Sequence, residues 1–158
     1  GYLSQHSLER AFTYSLTRNP YTRALSLFAH FQIIGQIPSD WTLDRFLLLL
    51  RRSQPEPGFY NLARFSQAAP QTSWIQPQRW AGPKLVVALE NLEPLHKALS
   101  EQFGVSSPML SIRHSGSEAY QNQWTDRSTN LVQDIYATDF HAFGYDPDRL
   151  PFCEEDGG

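Results

Sequence analysis

Two polar side chains near the start of a predicted helix have the chemistry of a phosphate site. Arg18 ends the apolar run 11–17, and Asn19 and Pro20 follow it directly. Asparagine caps helices and proline fits the first helical turn, so the pattern predicts a strand, buried on both faces, that turns at once into a helix. Ser26 lies two turns into that helix. An arginine fork and a hydroxyl at the carboxyl end of a strand suit a phosphate monoester.

The spacing Arg-x-Pro-x-x-Arg-x-x-Ser over residues 18–26 resembles the 3′-phosphate-binding motif of sulfotransferases. That family uses 3′-phosphoadenosine-5′-phosphosulfate (PAPS) as co-substrate and releases adenosine 3′,5′-bisphosphate. The resemblance implies that Arg18 and Ser26 hold the 3′-phosphate of this nucleotide, and that Arg23 has a structural role. The alternative interpretation of the nonapeptide is a strand–helix corner whose arginine meets a carboxylate.

Three later segments extend the resemblance in the family's order. The Pro-Gln segment 70–71 resembles one that precedes a strand in the carbohydrate-type branch of the family. Residues 84–89 predict that second buried strand, and the Glu-Asn-Leu segment 90–92 follows it, ahead of a predicted helix over 94–103. Residues 136–145, Tyr-x-x-Asp-Phe-x-x-Phe-Gly-Tyr, resemble the closing signature of the same branch. They lie on what the apolar periodicity predicts to be one last helix that ends at a glycine.

A resemblance in a predicted loop adds a third candidate residue for binding the 3′-phosphate. Residues 113–116 resemble the late loop of cytosolic sulfotransferases, where an Arg-Lys-Gly sequence binds the same 3′-phosphate. This chain has His114 and Ser115 where lysine and glycine stand in that loop. The resemblance implies Arg113 as a second phosphate ligand, and an exposed loop arginine explains the residue equally well.

The 5′-phosphosulfate loop of the family is missing from this sequence. It lies upstream of the Arg-x-Pro motif, and residues 1–10 contain no such Gly/Ser/Thr-rich loop. We therefore expect residues 1–158 to be one partial domain, truncated at its N-terminus, with 150–158 a frayed acidic tail. No catalytic base is identified, since His6 is too close to the strand, and the chain alone is expected to be inactive. A nucleotide kinase is disfavoured because no Walker lysine is present.

The amino-acid composition limits the kinds of binding partner that we expect. A net charge of −3 and a pI near 5.9 argue against a nucleic-acid or membrane-surface binder, and no apolar run is long enough to span a bilayer. The five histidines show no metal-ligand spacing, so no metal is expected. The single Cys153 excludes an internal disulfide and favours a reducing, cytoplasmic compartment.

The remaining patterns complete an α/β prediction. A second helix begins after a Thr42 cap, residues 61–68 suggest a short helix, and 67–83 reads as irregular. In that irregular segment Trp74 and Trp80 either cover the core or face the acceptor. The resemblance implies a P-loop-like sulfotransferase fold, in which a small parallel sheet is flanked by many helices.

The sequence thus predicts a domain that transfers a sulfuryl group from PAPS to a hydroxyl or amine acceptor. The alternative is a non-catalytic helical interaction module, or a pseudo-enzyme, that keeps the fold. Because a lost strand and helix would expose an apolar edge of the sheet, we also expect self-association or an N-terminal partner segment.

Overall fold

Two short strands and six α-helices make an α/β domain in the computed structural model, which describes residues 11–58, 65–75, 84–104 and 121–152. The α/β prediction is confirmed at this level. In chain order the elements are β1 (Tyr14–Thr17), α1 (Pro20–Ile33), α2 (Leu43–Ser53), a 3₁₀ turn (Ser66–Ala68), α3 (Gln71–Ile75), β2 (Leu85–Ala88), α4 (Glu93–Phe103), α5 (Asp126–Ile135) and α6 (Ala137–Phe143).

The two strands pair in parallel, with Tyr14 opposite Leu85 and Thr17 opposite Ala88. Their carboxyl ends therefore lie side by side, and each chain segment leaves the sheet at the same edge. This parallel pairing places the residues that follow β1 next to those that follow β2.

The expected burial of both strands on both faces is wrong. Tyr14 is 49% exposed, and Leu16 and Val86 are each 41% exposed, although Thr17 and Val87 are buried. A parallel sheet is buried on both faces only when packed layers cover both of them. The described elements leave part of each face uncovered.

The hydrophobic core lies among the helices instead. Helix α2 packs along α5, and α1 contacts both of them. Phe46 of α2 packs against two phenylalanines of α1 with tilted rings, at ring-centroid distances of 5.7 Å from Phe28 and 5.7 Å from Phe31. The fully buried core side chains include Tyr21, Ala24, Leu25, Phe28, Phe46, Leu47, Leu50, Val132 and Tyr136.

The predicted helix ends are confirmed where local caps determine them. The side chain of Asn19 accepts a hydrogen bond from the Tyr21 N–H at 2.9 Å, and Thr42 accepts one from Arg45 at 3.3 Å. Gly104 ends α4 in the left-handed region, at a φ of 63° that glycine adopts without a Cβ clash.

Three sequence predictions need correction. The last helix is two helices, α5 and α6, because the backbone leaves helical geometry at Tyr136, whose φ is −115°. The segment predicted to be irregular contains α3, whose N-terminus is capped by a distant carboxylate described below. The tail is not frayed at its start, since Leu150 and Phe152 pack against the core. Residues 61–64, Trp80 and 153–158 lie outside the described residues.

Candidate functional site

Arg18 stands at the carboxyl end of β1 with its side chain half-buried. Its Nε donates a hydrogen bond to Thr22 Oγ1 at 3.0 Å, which sets the guanidinium against the first turn of α1. Burial lowers the pKa of the Arg18 guanidinium, and the negative charge of Glu90 opposes that effect. Because the pKa of an arginine ordinarily lies far above neutrality, this side chain remains a cation at neutral pH.

Thr22 and Ser26 lie one turn apart on the same face of α1, since residues i and i+4 of a helix are neighbours. The axial rise between them is about 6 Å. The bond from Arg18 to Thr22 thus brings Arg18 to the face that also carries Ser26. Arg18 thus contacts Thr22, one turn before Ser26 on that face, and Thr22 is a third polar group that the sequence did not indicate.

The backbone of Arg18 forms two hydrogen bonds with the side chain of a residue that is distant in the sequence. The Arg18 N–H donates to Gln71 Oε1 at 2.8 Å, and Gln71 Nε2 donates to the Arg18 carbonyl at 2.9 Å. The amide of Gln71 therefore pairs with Arg18 as a neighbouring strand would. Gln71 is only 8% exposed, so water competes little for these bonds.

Asp139 holds Gln71 in turn. Its Oδ2 accepts a hydrogen bond from the Gln71 N–H at 2.7 Å, and its Oδ1 accepts from both the N–H and the hydroxyl of Thr72 at 2.9 Å. Asp139 is fully buried, and a buried carboxylate is tolerated when hydrogen bonds replace its lost hydration.

Glu90, at the end of β2, holds the residue after Arg18. Its Oε1 accepts from the Asn19 N–H at 2.8 Å, and its Oε2 accepts from the Tyr145 hydroxyl at 3.0 Å. Burial raises the pKa of Tyr145, and the neighbouring charge of Glu90 raises it further, so the phenol keeps its proton and donates it. Glu90 thereby joins the two strand ends to the segment after α6.

Arg23, the second arginine of the motif, contacts two backbone carbonyls and an aromatic ring. Arg23 Nη2 donates to the carbonyls of Gln67 and Ala69 at 2.7 Å and 2.8 Å, and the guanidinium lies 5.2 Å from the centre of the Tyr136 ring. Arg23 therefore ties α1 to the 3₁₀ turn and to the core. These contacts fit the structural role that the resemblance implied.

All three later segments of the resemblance take part in holding the turn at Arg18 and Asn19, two directly and the closing signature through Gln71 and Glu90. The Pro-Gln segment supplies Gln71, the Glu-Asn-Leu segment supplies Glu90, and the closing signature supplies Asp139 and Tyr145. The sequence located these segments without assigning a role to these four residues. The signal that could have found them is a polar residue beside a strand end or inside an apolar helical stripe.

Arg113, the third nominated ligand, lies outside the described residues, as do His6 and His114. Within the described ranges, no group of three His, Cys, Asp or Glu side chains has the arrangement to hold a metal ion. In the same part of the chain, no helix combines the length and the apolar character needed to cross a bilayer.

Comparison of the chain with protein-family models, with curated proteins and with solved structures gives no match.

Proposed function

We propose that this domain carries the 3′-phosphate-binding half of a sulfotransferase cofactor site, with Arg18 and Ser26 as ligands of PAPS or adenosine 3′,5′-bisphosphate. The observation that carries the proposal is the anchoring of Arg18. Its half-buried guanidinium donates to Thr22 in the first turn of α1, and side chains from two distant segments, Gln71 and Glu90, hydrogen-bond to the turn that bears it.

The donor set fits a phosphate monoester. Within the described part of the chain, the guanidinium of Arg18 uses Nε for Thr22, which leaves its Nη groups for phosphate oxygens. Ser26 adds a hydroxyl on the same face of α1. A monoester dianion accepts several hydrogen bonds at once, so a guanidinium beside a hydroxyl suits it better than either group alone.

Glu90 is a carboxylate near the proposed anion site, and its negative charge would oppose phosphate binding. Both of its oxygens accept hydrogen bonds, one from a backbone N–H and one from a tyrosine hydroxyl. These donors withdraw charge from the carboxylate and hold it against the turn. Glu90 therefore supports the turn at a smaller electrostatic cost than a bare carboxylate would have.

PAPS supplies the sulfuryl group that is transferred to a hydroxyl or amine acceptor. Arg18 and Ser26 would bind the far phosphate of the nucleotide and fix its register, so their contribution is positioning rather than chemistry at sulfur. The groups that act on sulfur would lie mainly in the N-terminal part of the domain, with the 5′-phosphosulfate loop that residues 1–158 do not contain.

The test is calorimetric titration of adenosine 3′,5′-bisphosphate into the chain and its variants. Arg18→Ala should weaken binding about 10- to 100-fold, because it removes hydrogen bonds between charged groups, and Ser26→Ala should weaken it less, by about 3- to 10-fold. Adenosine 5′-monophosphate, which lacks the 3′-phosphate, should bind no more weakly to Arg18→Ala than to the wild type.

Arg52→Ala is the matched control, since it removes an exposed arginine from the last turn of α2 and should leave the affinity unchanged. Equal losses of affinity for Arg52→Ala and Arg18→Ala would mean that binding depends on the net charge of the chain and not on a specific contact with Arg18. A folded wild-type chain that shows no saturable binding would contradict the proposal and favour the non-catalytic interaction module.

A further inference from the structure

We propose that Gln71, held by the buried carboxylate of Asp139, is a positioning residue for Arg18. The inference rests on the proposed function for the identity of the ligand, and its structural consequence can be measured without one. Neither Gln71 nor Asp139 needs to touch the nucleotide; their effect reaches it through the backbone and the side chain of Arg18.

The chemistry of the Gln71 side chain explains why glutamine stands there. Arg18 presents one donor and one acceptor, its N–H and its carbonyl, and the Gln71 amide meets them with one acceptor and one donor at 2.8 Å and 2.9 Å. These partners also determine which amide atom is oxygen and which is nitrogen. A glutamate would lack the donor, and an alanine would lack both groups.

Asp139 determines where Gln71 can be. Helix α3 has five residues, too few to be stable by itself, and its first two N–H groups donate to Asp139. Asp139 belongs to α6, whose Phe140 ring packs 5.1 Å from the ring of Tyr21 in α1. The helical core thus places the carboxylate, the carboxylate places α3, and α3 places the amide beside Arg18.

The consequence for binding follows from the flexibility of arginine. A free arginine side chain has many rotamers, and ordering it on binding opposes affinity. Here the Arg18 backbone is held by Gln71 and its Nε is held by Thr22, so much of that ordering is complete before a ligand arrives. Loss of Gln71 should release the first of these two anchors.

The first measurement is nuclear magnetic resonance of the folded chain without ligand. In Gln71→Ala the amide hydrogen of Arg18 should exchange at least about 10-fold faster than in the wild type, because its acceptor is gone. The Arg18 Nε–H resonance should also show larger fast motion in this variant.

Thr72→Val is the matched control. It removes a hydrogen bond to the same carboxylate from the same short helix but leaves both bonds between Gln71 and Arg18. Its Arg18 exchange rate should match the wild type. An unchanged Arg18 exchange rate and Nε motion in folded Gln71→Ala would overturn the proposal.

The second measurement separates positioning from general destabilisation. We expect Gln71→Ala to reduce the preference for adenosine 3′,5′-bisphosphate over adenosine 5′-monophosphate by about 10-fold, whereas a purely structural role would weaken both nucleotides equally. The double variant Arg18→Ala/Gln71→Ala should bind like Arg18→Ala alone, since Gln71 acts through Arg18. Additive losses would overturn the proposal.

The two measurements can fail separately. If the wild type binds neither nucleotide, the proposed function is wrong, and the exchange rate of Arg18 alone decides whether Gln71 positions it. Asp139→Asn should reproduce the Gln71→Ala result if it folds. Because that substitution puts an NH₂ group among buried donors, the Gln71 variants carry the test.

Discussion

The helical core and the strand-end region of this domain are held together by opposite kinds of contact. In the core, Phe28, Phe46 and Leu50 are fully buried among other apolar side chains. At the strand ends, Gln71 and Glu90 hold the turn after β1 through hydrogen bonds, while strand side chains beside them remain exposed. Core side chains are mostly apolar, whereas the turn after β1 is held mainly by hydrogen bonds.

The two kinds of contact have different effects on the structure. Apolar burial is non-directional, so it stabilises the helices without prescribing the orientation of any one side chain. Hydrogen bonds are directional, so they orient the turn at Arg18 while adding less stability. The region that we propose to bind phosphate is therefore one that the core supports but does not contain.

The largest effect on stability is expected in the helical core. Phe46→Ala should lower the free energy of unfolding by about 3–5 kcal/mol, because it opens a cavity among buried phenylalanine rings. Leu16→Ala in β1, where the side chain is 41% exposed, should cost less than about 1.5 kcal/mol. Urea denaturation of both variants measures the difference. Similar losses would mean that the sheet is as much a part of the core as the helices are.

A smaller effect is expected where the core contains its own polar contact. The Tyr136 hydroxyl donates to the Ala68 carbonyl at 3.0 Å, and both residues are fully buried. Tyr136→Phe should cost about 1–2 kcal/mol, since it leaves that carbonyl without a partner. A variant as stable as the wild type in urea would show that this bond contributes nothing net.

The same residue predicts how stability depends on pH. Burial raises the pKa of Tyr136 to about 12, with Asp139 adding to the rise and Arg23 opposing it. The pKa of a tyrosine in the unfolded chain is about 10. The protonated Tyr136 phenol therefore contributes its full share to folding stability below pH ~10, and this contribution is lost as the pH rises toward 12. Between about pH 9 and 11 the wild type should lose about 1 kcal/mol more than Tyr136→Phe. Parallel urea titrations at the two pH values check this, and equal losses would contradict it.

The smallest effect on stability is expected on the uncovered strands, where association is the more informative readout. Leu16→Thr and Val86→Thr replace an exposed apolar side chain with the polar, β-branched threonine and should change stability by no more than about 0.5 kcal/mol. Self-association stays a prediction, and sedimentation velocity should show it weakened by these substitutions. A wild type that is monomeric at every concentration would contradict it.

Helix ends and the positions of the two strands could be predicted because their signals are local. Asn19 and Thr42 accept hydrogen bonds from residues within the next turn, so a short stretch of sequence contains both partners. The same holds for Gly104, whose backbone conformation is its own property. The exposure of Tyr14 could not be predicted, since an apolar strand does not reveal which layers cover it.

The candidate site divides in the same way. The sequence by itself determined that Arg18 follows a strand, that a capped helix begins behind it, and that Ser26 shares that helix, because backbone geometry and side-chain spacing require only neighbouring residues. Only the tertiary structure decided that Gln71, 53 positions away, pairs with Arg18, and that Asp139, 68 positions from Gln71, holds it. The physical reason is that a side-chain hydrogen bond needs its partner within about 3 Å, and packing of distant helices sets that distance.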